Sequence, residues 1–333
     1  MLLEIKDLHV SFENDDGDTV PAVEGVSFTL DRGEILGLVG ESGCGKSVTS
    51  MSIPRLVPSP PSKVTRGSIL LDGENLLEAP LSRLRRLRGK KIGVIFQNPM
   101  NSLSPLHRIG DQLVETLRLH DSSMSKAAAR AIALEWLDKV GIPDPEVRSR
   151  AYPFELSGGM QQRVMIAMGL MLSPDLVIAD EPTTALDVTI QAQVLRLMRR
   201  LHSANSGVLL ITHDMGVVSQ MATRIAVMYA GQIVEMCDSA EEFFANPLHP
   251  YSRALLAAIP SASTRGRKLA AIPGAVPPAG CFPSGCRFRE RCAFAQRECA
   301  RASADVLADC CGPGRKVRCP RSAAAAASAA PKA

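Results

Sequence analysis

The stretch from Gly40 to Ser47 has the residue types and the spacing that bind a polyphosphate. It reads GESGCGKS and stands between an apolar run of strand length and a segment that can form a helix. Glycines let the backbone approach an anion, and the N–H groups at the start of a helix favour negative charge. Lys46 adds a positive charge, and the Ser47 hydroxyl suits Mg2+. The pattern predicts nucleotide binding by Gly40, Glu41, Ser42, Gly43, Cys44, Gly45, Lys46, Ser47 and Val48.

Cys44 is the unusual member of this loop. A thiol among N–H donors and beside Lys46 would have its thiolate form stabilised. The sequence therefore predicts a lowered pKa for Cys44. It also predicts that thiol reagents inactivate the protein and that a bound nucleotide protects it.

Polar side chains follow three apolar runs further along the chain. Gln97 comes after one run, Asp180 and Glu181 after the next, and His213 after a third. Because α/β sheets place ligands at the carboxyl ends of their strands, we expect these side chains to face the nucleotide. Ser47, Gln97 and Asp180 are candidate Mg2+ ligands, and Glu181 can polarise the water that attacks the terminal phosphate. Taken singly, Gln97 could be a turn residue and His213 a structural or surface residue.

A second glycine-containing helix start lies at residues 156–163, which read LSGGMQQR. Such a helix start is another site for an anion. One subunit has no obvious need for two such sites around one nucleotide. We therefore expect Ser157, Gly158, Gly159 and Gln161 to act on the nucleotide of a different subunit.

The elements that position these residues indicate an α/β domain. The first 35 residues alternate in the manner of antiparallel strands, and Phe12 could stack on an adenine or be an ordinary half-buried aromatic. Ser125 can cap a helix from Lys126 to Val140, with Gly141 as its stop. This helix belongs to a predicted helical insertion over about residues 98–165.

Composition narrows the class of protein. The 333 residues contain 46% hydrophobic residues, 4% aromatic residues and a net charge of +4. The low aromatic content and the mild charge give no reason to expect a nucleic-acid partner. The longest apolar run, at residues 164–172, is far shorter than a membrane span, and no secretory signal is visible. We expect a soluble protein made in the cytosol.

Together these segments resemble the nucleotide-binding subunit of ABC transporters from about residue 3 to residue 245. By this resemblance GESGCGKS is the Walker A motif, LSGGMQQR the signature and LVIADE the Walker B motif, while Gln97, Asp187 and His213 belong to the Q-loop, the D-loop and the switch. It implies a P-loop ATPase fold with an antiparallel β subdomain and an inserted helical subdomain, ATP and Mg2+ as ligands, and Phe12 as the adenine-stacking residue. It also implies that two subunits face head to tail, each ATP lying between one Walker A motif and the partner's signature.

The segments QNPMNSLSP at 97–105 and NPLHPY at 246–251 resemble the dipeptide/oligopeptide importer branch of that family. This implies a homologous second ATPase subunit as a heterodimer partner, two integral membrane permease subunits and an extracytoplasmic substrate-binding protein. The chain would then be a peripheral subunit on the cytoplasmic face of the cell (inner) membrane. The same branch also serves nickel, and a soluble ABC ATPase of cluster assembly would also account for the thiols, so both alternatives stay open.

The chain has nine cysteines, several of them near its end. In a reducing compartment, clustered thiols favour a metal site over disulfides. The spacing alone leaves Zn2+, an iron–sulfur cluster or unligated buried thiols open, and Cys281, Cys310 and Cys311 complicate the assignment. The branch resemblance implies a 4Fe-4S cluster on Cys286, Cys292, Cys299 and Cys319. We expect an ATPase domain over 1–245, a C-terminal domain over 246–322 and a disordered alanine-rich tail over 323–333.

Overall fold

A computed structural model describes residues 1–184, 186–259, 271–301, 306–310 and 312–322. Ala185, Cys311 and the predicted tail at 323–333 lie outside the described residues. The described strands are β1 (Leu3–Glu13), β2 (Thr19–Leu30), β3 (Ile35–Val39), β4 (Ser62–Leu71), β5 (Glu74–Asn75), β6 (Ile92–Ile95), β7 (Leu176–Asp180), β8 (Gly207–Thr212), β9 (Arg224–Tyr229), β10 (Gln232–Cys237), β11 (Ala308–Asp309) and β12 (Arg315–Val317).

The described helices connect these strands. They are α1 (Lys46–Ser52), α2 (Leu81–Leu87), α3 (Pro99–Ser102), α4 (Ile109–His120), α5 (Lys126–Lys139), α6 (Pro145–Arg148), α7 (Gly158–Leu170), α8 (Val188–Leu201), α9 (Met215–Met221), α10 (Ala240–Ala245) and α11 (Pro250–Ala257), with 3-10 turns at Pro153–Glu155 and Arg297–Ala300. None of the helices in this part of the chain is long and apolar enough to cross a membrane.

Two sheets form the framework. The smaller sheet has the strand order β2-β1-β4-β5, and every pairing in it is antiparallel, as the alternating sequence predicts. The larger sheet has the order β11-β12-β10-β9-β3-β8-β7-β6 and is parallel from β9 to β6. β3, β7 and β8 are buried along their whole length, which explains their continuous apolar sequences. The predicted α/β class is therefore confirmed.

The helical region from α3 to α7 packs on one face of the large sheet. Ser125 caps α5 by accepting a hydrogen bond from the backbone N–H of Ala128, as predicted. The helix ends one residue before the predicted end, and Gly141 follows with a φ of +75°. Leu113, Ala133 and Val164 belong to the core beneath these helices.

The chain after β10 returns to the same sheet instead of leaving it. β12 pairs antiparallel with β10, and β11 pairs with β12 at the sheet edge. The side chain of Arg315 in β12 is buried and forms an ion pair of 3.1 Å with Glu235 in β10. This long-range pairing anchors the C-terminal residues to the larger sheet.

Candidate active site

The phosphate loop joins the end of β3 to the start of α1, as predicted. Gly40 has a φ of +153°, and a Cβ there would lie 2.2 Å from the carbonyl oxygen of Met228. Gly45 has a φ of +105° and directly precedes the first helical residue. Both positions require glycine because a side chain would strain the backbone or collide with it. The close packing gives the loop one defined shape.

Lys46 lies inside this loop and is only 4% exposed. Its ammonium group donates hydrogen bonds to the carbonyl oxygens of Gly40, at 2.7 Å, and of Glu41, at 2.9 Å. The charge is thus held at the centre of the loop, where the phosphates of a nucleotide would meet it.

Ser47 and Asp180 come from different segments and meet at the end of the large sheet. The Ser47 hydroxyl donates a hydrogen bond of 3.1 Å to Oδ1 of Asp180. Burial raises the pKa of Asp180, and the Ser47 hydrogen bond opposes that shift. Both side chains offer the oxygen ligands that Mg2+ prefers, so this pair fits the metal that accompanies a nucleotide.

Glu181, Gln97 and His213 converge, as their positions at neighbouring strand ends predict. The Glu181 carboxylate accepts hydrogen bonds from Nε2 of Gln97 at 2.8 Å and from the Thr184 hydroxyl at 2.9 Å, and its other oxygen lies 3.0 Å from Nδ1 of His213. The Glu181 backbone has a φ of +46°, an unusual conformation for a residue with a side chain and one typical of functional sites.

The charge state of Glu181 follows from these contacts. Burial disfavours its charged form, but the hydrogen bonds from His213 and Thr184 outweigh burial and lower its pKa. Glu181 is therefore ionised at neutral pH. An ionised carboxylate held from two sides can accept a hydrogen bond from a water molecule and orient it for attack.

A cavity of about 310 Å3 adjoins the phosphate loop. Its wall includes the loop, Ala22, Gln97, Glu181 and two C-terminal residues, Ala279 and Phe282. Phe12, the predicted adenine-stacking residue, packs partly buried beside the core between the two sheets and is not among the residues that line this cavity. Phe282 was missed in the sequence because no local pattern marks it and 235 residues separate it from Ser47.

The signature residues divide into two groups. Ser157 caps α7 through an N–H···O contact of 3.4 Å from Met160, and Ser157 and Gly158 are exposed. Gly159 is held close to Ile190, where a Cβ would meet a side-chain carbon at 2.8 Å. Gln161 is buried and donates to the carbonyl oxygens of Pro153 and Leu156.

One predicted role therefore needs revision. Gln161 braces the turn before its own helix, so the prediction that it contacts a partner's ATP does not fit its position. Asp187, the predicted D-loop residue, caps α8 by accepting hydrogen bonds from the N–H groups of Thr189 and Ile190, both at 3.0 Å, which leaves its predicted place in the D-loop unchanged. The remaining exposed face at Ser157 and Gly158 stays available to another molecule.

Cys44 also differs from its prediction. Its side chain is buried, and burial raises the pKa of the thiol, although nearby Lys46, 3.8 Å from Sγ, opposes that shift. The prediction of a lowered pKa is wrong because the loop turns the thiol into the core beside Gly40 instead of toward the anion. Cys281, which precedes Phe282, is the exposed thiol near the cavity.

The cysteine-bearing segment, residues 281–299, contacts the phosphate loop directly. Arg291 makes a two-pronged ion pair with Glu41, with N–O distances of 2.7 and 2.9 Å. The hydroxyl of Tyr251 accepts a hydrogen bond of 2.8 Å from the backbone N–H of Glu41. Tyr251 belongs to the NPLHPY segment noted in the sequence, but neither contact with Glu41 was predicted, because they join positions 210 and 250 residues apart.

The four candidate metal ligands lie behind this contact. Cys286, Cys299 and Cys319 are buried, and Cys292 is half-buried. Burial raises the pKa of Cys286 to about 11, and the neighbouring Cys319, Cys299 and Cys292 add to that shift. The thiols are thus close enough to affect one another. Within the described residues, however, no group of three or more His, Cys, Asp or Glu side chains is arranged to hold a metal ion.

Comparison with known proteins places two matches on this chain. The family model described as "ABC transporter" matches residues 23–184, and the model described as "Oligopeptide/dipeptide transporter, C-terminal region" matches residues 234–299.

Similar proteins cover almost the whole chain. A "Probable peptide ABC transporter ATP-binding protein" of Sinorhizobium fredii is 49% identical over 97% of this chain and 95% of its own length. An "Oligopeptide transport ATP-binding protein" of Bacillus subtilis is 50% identical over 89% of this chain and 82% of its own length. Among solved structures, a dimeric ATP-binding cassette in a post-hydrolysis state bound to ADP and Pi has a TM-score of 0.62 and 27% identity, covering 70% of this chain and 96% of that chain.

Proposed function

The chain belongs to the ABC transporter family as an ATP-binding subunit of the oligopeptide/dipeptide type, and on that premise we propose that it hydrolyses ATP to power peptide import. The observation that carries the proposal is the Glu181 carboxylate, held by Gln97 and His213 beside the phosphate loop. The relatives' names favour peptides over the nickel and cluster-assembly alternatives.

The residues divide the work of hydrolysis. The phosphate loop and Lys46 bind the phosphates, and Ser47 and Asp180 hold Mg2+. Glu181 accepts a hydrogen bond from the attacking water, and His213 and Gln97 fix the orientation of that carboxylate. The water oxygen forms a bond to the terminal phosphorus while the bond to the bridging oxygen breaks, so ADP and inorganic phosphate leave and the proton of the water passes through Glu181 to the solvent.

A second subunit completes the site in this proposal. None of the signature residues in the described part of the chain lines its own nucleotide cavity, yet Ser157 and Gly158 are exposed at a helix start. That arrangement suits a nucleotide bound by another subunit. We propose that the partner is a homologous ATPase subunit in a heterodimer, with Asp187 near the shared interface.

The membrane partners follow from the importer type. We propose two permease subunits, an extracytoplasmic substrate-binding protein and a peripheral position on the cytoplasmic face of the membrane. The side chains of Met100 and Leu106, which follow Gln97, are 69% and 81% exposed. Exposed apolar side chains close to Gln97 are typical of a surface that binds another protein. They support the helical subdomain, at about residues 98–165, as the part that contacts the permease.

We also propose the division into an ATPase domain over 1–245 and a C-terminal domain over 246–322, with a metal centre in the latter. The four thiols would have to lose their protons and turn inward, since as they stand they form no metal site among the described residues. Two of them already accept backbone hydrogen bonds: Cys292 from Phe294 at 3.4 Å and Cys299 from Gln296 at 3.5 Å. Such N–H···S contacts suit thiolate ligands of either metal, and a 4Fe-4S cluster is proposed over Zn2+ because of the resemblance to the dipeptide/oligopeptide importer branch.

Metal analysis tests this centre. Protein purified without oxygen should contain iron and acid-labile sulfide, and the variant with all four cysteines changed to serine should contain neither. Zinc in place of iron and sulfide would favour the alternative metal. Protein with neither metal would overturn the proposal.

Reconstitution tests the transport function. The chain, its homologous partner and both permease subunits are placed in vesicles with ATP on the accessible side and a peptide-loaded binding protein inside. We expect ATP-dependent peptide movement, and Lys46→Ala should abolish it by removing the charge at the phosphates. If the permease subunits do not co-purify with the chain, the transporter role is contradicted. Transport of nickel without transport of peptide would contradict the proposed cargo.

A further inference from the structure

The ion pair between Arg291 and Glu41 joins the cysteine-bearing segment to the phosphate loop. Arg291 has only 6% of its side chain exposed, and its guanidinium also lies 5.7 Å from the centre of the Tyr229 ring. A third N–H group, Nε, donates to the carbonyl of Pro273 at 2.7 Å. The guanidinium of Arg291 is therefore held by Pro273 and Tyr229 in addition to Glu41.

Glu41 is the first residue after the glycine that opens the loop. Its carboxylate is held by Arg291 and its backbone N–H by Tyr251, while its carbonyl accepts from Lys46. The same residue thus connects the C-terminal region to the group that meets the phosphates. Moving Glu41 would move the carbonyl that holds the Lys46 ammonium.

We propose that Arg291 is a positioning residue for ATP binding, acting through Glu41 on the shape of the phosphate loop. A two-pronged pair between a guanidinium and a carboxylate fixes orientation as well as distance, so lysine would replace it only in part. The inference rests on the proposed ATPase function and adds a residue that lies outside the cavity-lining groups.

Nucleotide titration and steady-state kinetics test this role. Arg291→Ala should raise the Kd and the KM for ATP about tenfold and leave kcat within about twofold, with Arg291→Lys in between. Glu41→Gln should give a similar loss, and the double variant Glu41→Gln with Arg291→Ala should lose little more than either single variant. Arg289→Ala is the matched control, since within the described residues the polar contacts of the Arg289 side chain are long ones, to Ser284 at 3.4 Å and to its neighbour Glu290 at 4.0 Å.

The outcomes separate the alternatives. Unchanged ATP affinity in Arg291→Ala, with a lower melting temperature, would make the pair merely structural and overturn the inference. Additive losses in the double variant would overturn the action through Glu41. Failure of the unaltered chain to bind ATP would instead contradict the proposed function.

A separate observation concerns Phe282 in the wall of the nucleotide cavity. The phosphates of ATP need the N–H groups and Lys46, which leaves the apolar part of the wall, Ala22, Ala279 and Phe282, for the rest of the nucleotide. Gly280 lies against Val20, the β2 residue paired with Phe12, so this part of the chain borders the small sheet. The guanidinium of Arg287 lies 4.3 Å from the centre of the Phe282 ring and holds it in place.

We infer that Phe282 is a nucleotide-binding residue that packs on the adenosine part of ATP. Phe282→Ala should weaken ATP and ADP binding alike by about fivefold or more, Phe282→Trp should restore it, and inorganic tripolyphosphate should bind both forms equally. Phe294→Ala, in the same segment but outside the cavity, is the control. If Phe282→Ala binds ATP as tightly as the unaltered chain, the ring does not contribute to nucleotide binding. If the variant binds ATP more tightly, the ring obstructs the site. Either result would overturn the inference.

Discussion

The nucleotide site and the cysteine-bearing segment differ in how their residues are brought together. In the nucleotide site, each side chain stands at the end of a buried strand or the start of a helix, so neighbouring parallel strands deliver Gln97, Glu181 and His213 to one place. In the C-terminal region, single long-range contacts such as Arg291 with Glu41 do that work. The proposed catalytic groups therefore depend on the sheet for their placement, whereas the C-terminal contacts with the phosphate loop depend on a few side chains.

The largest expected effect falls on the strand-end group. Glu181→Gln keeps the shape of the side chain but replaces one acceptor oxygen by an NH2 group and removes the charge that polarises water, so hydrolysis should fall by about a hundredfold or more. ATP binding, measured by titration, should stay within a few-fold of the unaltered chain. Hydrolysis at the original rate would show that Glu181 is not the catalytic carboxylate.

The C-terminal anchor should be the most sensitive point of the other region. Arg315→Met leaves Glu235, which is 0% exposed, without its charged partner, so the free energy of unfolding should fall by about 3 kcal/mol. Urea unfolding measures this loss. Lys316→Met, the exposed neighbour in β12, should change stability little. An equal loss in both variants would show that the strand, and not the ion pair, is the anchor.

The pH dependence of the stability tests the same C-terminal region through His249. Burial lowers the pKa of His249 to about 3, below its ordinary value of 6.5, so the unfolded chain takes up the proton first as pH falls. The contribution of neutral His249 to the free energy of unfolding is complete above pH 6.5 and is lost progressively as the pH falls toward 3. At pH 5 the loss is about 2 kcal/mol. His249→Asn keeps a capping acceptor for α11 and removes the titration, so its loss between pH 7 and pH 5 should be smaller by about that amount. Equal losses in both proteins would contradict a buried neutral His249.

The smallest expected effect concerns thiol chemistry near the nucleotide. Exposed Cys281 should react with an alkylating reagent about tenfold faster than buried Cys44, whose pKa is raised. Peptide mass spectrometry measures both rates on the native protein. The alkylating reagent should inactivate Cys44→Ser as fast as it inactivates the unaltered chain. Slower inactivation of Cys44→Ser would show that Cys44 is the reactive thiol after all.

Much of the nucleotide site was predictable because its geometry is local. The glycine spacing at Gly40 and Gly45, the polar residues after apolar runs and the cap at Ser125 each follow from a few adjacent residues. The side-chain direction at Cys44 and Gln161 was not predictable, because burial is set by elements that pack around those residues. Both residues are buried, so the lowered pKa predicted for Cys44 is wrong and the nucleotide contact predicted for Gln161 does not fit.

Local sequence patterns were enough to predict the fold class, the phosphate loop and the convergence of Gln97, Glu181 and His213. Periodicity and spacing suffice for these, since buried parallel strands and helix starts place their ends in a common row. Only the tertiary structure decided that Arg291 and Tyr251 hold Glu41 and that Phe282 reaches the nucleotide cavity. These contacts join residues 210 and 250 positions apart in the chain, and such a distance is closed by the packing of the whole molecule, which no local pattern records.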